Sequence, residues 1–177
     1  NGLWFNIFGG YRISKDELFC NLVDADGYYF THFLQDKAKT AYGGAELKYG
    51  YKDWFDASLK GTFYSWKTDN ENEELYLVTK PKFELNFYAE AKVFEGLKVN
   101  LGYEYVQRKE YVIEEGNSSK DFGLGNISNL SVGASYTFLK DLSVFRRVNN
   151  LLNKQYYYEY GYPAEKLNVL AGLSLAF

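Results

Sequence analysis

Apolar residues fall on every second position over most of this chain, with polar or charged residues between them. In the last segment Leu167, Val169, Ala171, Leu173, Leu175 and Phe177 share one face. Asn168, Leu170, Gly172, Ser174 and Ala176 share the other, which is smaller and more polar. A period of two is the repeat of a β-strand with one apolar side. The same alternation runs through residues 3–13, 41–49, 55–63, 83–93, 97–105 and 130–138. In these segments the charges keep to one parity. A slip of one residue would carry them all to the apolar face, so strand register is tightly specified.

Arg146 is the exception, because it lies in phase with Leu142, Val144 and Val148. An arginine facing lipid costs roughly 2–4 kcal/mol at the bilayer midplane and little near the interface. Two explanations are open: a bulge that shifts the phase, or a place near the membrane surface where the side chain snorkels.

Connections alternate between short and long. Residues 51–53, 94–96 and 139–141 are tight turns, whereas 14–39, 67–79, 113–126 and 151–165 are long and polar. A soluble sandwich mixes turn lengths at both ends, with strands of about 5–6 residues. These runs are closer to the roughly 9–11 residues that cross a bilayer at a tilt. Aromatic residues gather at strand ends (Tyr49, Tyr51, Trp54, Phe55, Phe94, Tyr103, Tyr105, Tyr136, Phe138 and Phe177), as amphipathic rings do in interfacial girdles. The pattern predicts an all-β, antiparallel up-and-down transmembrane β-barrel with about eight strands, residues 1–177 forming one barrel domain or barrel segment.

Composition narrows the field further. A net charge of −3 and a pI near 5.3, without a basic run, exclude a nucleic-acid partner. No run of about 18 apolar residues offers a transmembrane helix. Cys20 is the single cysteine, so neither a disulfide framework nor a cysteine metal site is expected. His32 is the single histidine, and no Ser or Asp at strand spacing completes a triad with it. Glu73-Glu74 and Glu114-Glu115 read as solvated loop charge. No enzyme activity, cofactor or metal is expected. The opening Asn1-Gly2 is a hairpin-turn dipeptide directly before a strand, which reads as a piece of a longer polypeptide.

The tail carries a family signature. Val148, Asn150, Leu151, Asn153, Lys154 and Tyr156 follow a Val-x-Asn-Leu-x-Asn-Lys-x-Tyr pattern, Pro163 lies in the loop behind it, and a strand ends on Phe177. This resembles the C-terminal end of TonB-dependent outer-membrane receptors, in which the last strand closes on a terminal Phe. Where that family usually has Gly-Arg after the loop proline, this chain has Ala164-Glu165-Lys166. The resemblance implies the C-terminal part of a barrel of about 22 strands, in the outer membrane of a Gram-negative bacterium. It also implies a plug domain and the TonB system as partners through the parent protein, outer-membrane lipid around it, and a small nutrient as cargo (siderophore, cobalamin or glycan class). No plug domain is recognisable in these residues.

Within that reading, ligand contacts are expected from loop aromatics: Tyr28, Tyr29 and Phe30 in the first loop, and Tyr156, Tyr157, Tyr158 and Tyr160 in the last. Tyrosines offer rigid faces with a polar handle; the same rings could instead anchor strands at the interface. The competing reading is an autonomous eight-stranded barrel with an adhesin or structural role, closed by pairing its first and last strands.

Overall fold

The computed structural model describes residues 2–25, 28–69, 77–109, 112–115, 118–121, 123–139 and 142–175; at 21–25, 28–32, 112–115 and 118–121 it describes the backbone alone. Phe177 lies outside the described residues. The strands are β1 (Gly2–Ala25), β2 (Tyr28–Tyr51), β3 (Phe55–Thr68), β4 (Pro81–Phe94), β5 (Leu97–Arg108), β6 (Val112–Glu115), β7 (Ser118–Asp121), β8 (Ile127–Leu139), β9 (Leu142–Asn149), β10 (Tyr157–Glu159), β11 (Tyr162–Pro163) and β12 (Asn168–Leu175). Eight of them form one antiparallel sheet in the order β1-β2-β3-β4-β5-β8-β9-β12, and β6-β7 and β10-β11 are separate two-stranded ribbons. No helix among the described residues is long and apolar enough to cross a membrane, which says nothing about crossing by strands.

Register carries the sequence alternation across the sheet. Leu47 faces Leu59, Leu59 faces Phe87, and Phe87 faces Tyr103, all on the apolar side. Glu46 faces Lys60, Lys60 faces Asn86, and Asn86 faces Glu104 on the polar side. The short connections lie at one end. In the β4–β5 turn Gly96 has φ +85, and a Cβ there would strike the carbonyl of Thr137, whose N–H donates to Gly96 at 2.9 Å. Only glycine fits both constraints.

Two expected loops are different. Residues 14–39 are largely strand, since β1 and β2 keep pairing as far as Ala25 and Tyr28, past one register shift between Ser14 and Glu17. Charged residues such as Lys15, Asp16 and Asp36 gave the segment a loop-like polarity. Its Phe, Leu, Val and Tyr content nonetheless suits a β-ladder. Residues 113–126 were also expected as loop, and β6 and β7 pair there from Val112↔Asp121 to Glu115↔Ser118.

Arg146 stays on the apolar face. Its row runs Ala134↔Arg146↔Ala171, and β9 and β12 pair without a shift. The nearby irregularity lies between Thr137 and Leu139, beyond that row, so no bulge moves Arg146 to the polar side.

The buried apolar side chains described (Phe19, Cys20, Ala38, Val78, Val106, Leu124, Ile127, Tyr156, Tyr160) lie toward the long-connection end. Among the described residues β1 and β12 each pair on one side only, so they form an open sheet and not a closed eight-stranded barrel.

Candidate functional site

Two glycines on the polar face open a place for flat rings. A Cβ at Gly10 would overlap the Tyr42 phenol, and one at Gly44 would overlap the Phe8 ring, so both rings lie against bare backbone. On β3, Tyr64 and Trp66 stack at 6.2 Å and 26°. Tyr64 is held by its hydroxyl donating to Glu84 at 2.8 Å, and Trp66 by its indole N–H donating to the Pro81 carbonyl at 2.9 Å. Register brings these groups together, since Gly10 pairs with Tyr42 and Tyr42 with Tyr64, while Arg12 pairs with Thr40 and Thr40 with Trp66.

Cations rim this floor. The Arg12 guanidinium lies 5.8 Å from the Trp66 ring, the Lys60 ammonium 5.1 Å from Phe8, and the Lys80 ammonium 5.1 Å from Trp66. Glu17 pairs with Arg12 at 3.2 Å and with Lys80 at 2.6 Å. Partial burial opposes the charge on Glu17, but Lys80 and Arg12 together hold its carboxyl below its ordinary range. The groove spans about 420 Å³, and a neighbouring depression of about 600 Å³ shares Tyr64 and Trp66 and adds Lys82. Thr40 Oγ1 is buried in the groove wall without a hydrogen-bond partner among the described residues. Ring faces and cationic rims suit a ligand with flat surfaces and negative charge.

The loop aromatics named from sequence have separate fates. Tyr156 packs with Val106 and Ile127, and Tyr160 with Cys20, Val78 and Leu124. Both are buried. Tyr157 is half-buried and packs against the second cluster. Tyr158 is exposed, and its hydroxyl reaches Glu104 at 3.4 Å; desolvation first and Glu104 second push that phenol upward. The side chains of Tyr28, Tyr29 and Phe30 lie outside the described residues.

The tail motif builds the β9–β12 connection. Asn150, 1% exposed and with φ 49, donates from Nδ2 to the carbonyls of Lys154 (2.7 Å) and Glu165 (3.1 Å), and its Oδ1 accepts the Lys154 N–H. Asn153 has φ 50, and its Oδ1 accepts the Leu167 N–H. Leu151 donates its N–H to Leu130, Tyr156 accepts from Ala164, and Pro163 pairs with Tyr157. Arg108, buried at the top of β5, donates to the carbonyls of Tyr157 and Tyr158 and draws the loop across the sheet end.

The ring-lined groove was missed from sequence. The available signal was aromatic residues on the charged parity (Phe8, Tyr42, Tyr64, Trp66) next to glycines of that same parity. The girdle expectation covers aromatics at strand ends and includes none of these four.

An open, two-faced, up-and-down sheet of this form is similar in fold to part of several solved outer-membrane receptors and transporters. Three solved structures illustrate the likeness. The pyoverdine outer-membrane receptor FpvA from Pseudomonas aeruginosa is 15% identical with a TM-score of 0.69, over 99% of this chain and 27% of that one. The copper transporter OprC is 11% identical with a TM-score of 0.68, over 99% of this chain and 29% of that one. The ferric-catecholate import receptor Fiu from Escherichia coli K12 is 15% identical with a TM-score of 0.66, over 99% and 25%. The chain thus spans between a quarter and a third of such proteins. No family model and no curated protein matches it by sequence.

Proposed function

We propose that this chain is barrel wall from a larger TonB-dependent receptor of the bacterial outer membrane, with its apolar face toward lipid and its polar face toward a lumen through which a small ligand passes. The carrying observation is the separation of chemistry across one open sheet, with aliphatic rows on one side and the ring-lined, cation-rimmed groove on the other. In a bilayer, unpaired strand edges leave backbone groups unsatisfied, so β1 and β12 call for further strands. A plug domain and the TonB system would then act through the parent protein. The groove, and the exposed Tyr158 of the last loop, would contact the ligand. No group in this reading is assigned a catalytic role. The ligand named for each neighbour belongs to that neighbour.

Cysteine scanning of the full-length protein in outer membranes tests the assignment of faces. A membrane-impermeant maleimide should leave Leu59→Cys, Leu85→Cys and Leu101→Cys unlabelled and should label Lys60→Cys, Asn86→Cys and Asn100→Cys. Equal labelling of both sets would sink the barrel-wall reading.

A further inference from the structure

We propose that Arg146, with Tyr136, forms a site on the apolar face for the phosphate of an anionic glycerophospholipid. The site rests on the barrel-wall reading, but the observations behind it are its own. Arg146 is exposed, and no carboxylate among the described residues pairs with it. Its row neighbours are Ala134 and Ala171, both small. The carboxylates of Glu90 and Glu104, on neighbouring strands, lie on the opposite face of the sheet.

The next apolar row toward the short turns is Leu97, Tyr136, Val144 and Leu173, which sets Tyr136 diagonal to Arg146. Tyr136 belongs to an aromatic group, 6.1 Å from Phe94 and 6.4 Å from Phe138 by ring centroids, and all three rings are exposed. Such a group marks the interfacial girdle at this end of a barrel. Two residues along a strand are about 6.6 Å, or about 5 Å of depth at a tilt near 40°. An extended arginine side chain covers that distance, so its guanidinium reaches the girdle while its backbone stays in the belt. The anions available at that level are lipid phosphates, which a guanidinium binds with two parallel hydrogen bonds. The Tyr136 hydroxyl supplies another donor to the same phosphate.

The test uses full-length protein in nanodiscs of phosphatidylethanolamine and phosphatidylglycerol, released for native mass spectrometry. Wild type should retain one more phosphatidylglycerol than Arg146→Leu, with affinity reduced about tenfold or more in the leucine variant. Arg146→Lys should retain it more weakly than wild type. Equal retention by wild type and Arg146→Leu overturns the proposal. A photo-crosslinker at position 136 that captures a protein instead of lipid also overturns it. Both outcomes leave the cysteine-labelling pattern intact, so they differ from failure of the barrel-wall reading. If that pattern fails as well, both ideas fall.

Discussion

At the short-turn end of the sheet, Leu47, Leu59, Phe94, Phe138 and Leu139 stand exposed, whereas at the long-connection end Phe19, Val78, Ile127 and Asn150 are almost sealed. The belt is held by ladder hydrogen bonds and cross-strand rows, and its apolar side chains find few partners within the chain. The opposite end buries rings and aliphatics against one another, as a water-facing structure must. One sheet is therefore built for two solvents. On the barrel-wall reading proposed above, exposure is lipid contact in the first region and a failure to pack in the second.

The largest expected effect tests the belt. Leu59 lies in the row between Leu47 and Phe87. Leu59→Lys should lower folding stability in a bilayer by roughly 2–4 kcal/mol, as charges on a lipid face do near the midplane. Lys60→Leu, one residue away on the polar face, should change it by about 0.5 kcal/mol or less. Denaturant unfolding from lipid vesicles measures both. Equal costs at positions 59 and 60 would erase the distinction between faces.

Next comes the capped end. Asn150→Ala removes the donor to Lys154 and Glu165 and the acceptor for the Lys154 N–H, in a side chain that is nearly sealed. Leaving such groups unsatisfied costs about 1–3 kcal/mol. The loss should be local. Hydrogen exchange should accelerate over residues 151–167 while β8 and β9 keep their protection. If protection fell across the whole sheet, the two regions would be one cooperative unit.

How much of this was legible in the sequence follows the same division. In the belt, one solvent meets each face, so parity alone fixes strand, register and side; Leu59 and Lys60 declare themselves. At the other end parity loses its meaning. Lys15, Asp16 and Asp36 look like loop because polarity is the only cue, yet β1 runs through Lys15 and Asp16 at a register shift and Asp36 pairs with Glu17 in the β1–β2 ladder. Tyr156 and Tyr160 looked like exposed binding rings, and their burial depends on Val78, Leu124 and Ile127, which are distant in sequence. Arg146 was legible as an anomaly, and only the unbroken β9–β12 register decided between bulge and outward placement. The groove needed Gly10 opposite Tyr42 and Gly44 opposite Phe8, which are pairings rather than compositions.

The smallest effect sharpens the boundary between the regions. Glu17 joins Lys80, beside the 3-10 turn at Leu77–Thr79, to β1, and both side chains are 16% exposed. Such a pair is less screened than a surface one, and its contribution is on the order of 1 kcal/mol. The Glu17 carboxyl titrates below its ordinary value of 4.5, so the contact contributes fully above that pH and is lost as pH falls through the lowered value. Acidification below about 4.5 should therefore loosen the contact between β1 and the Leu77–Thr79 turn, and limited proteolysis near that turn should speed up. Glu17→Gln should remove the pH step and leave the wild-type acid rate at all pH values. The belt has no part in this equilibrium, so the Leu59→Cys labelling pattern should stay constant through the same titration. A change there would mean that the capped end and the belt are coupled, and that the two solvents do not divide the molecule as cleanly as its burial does.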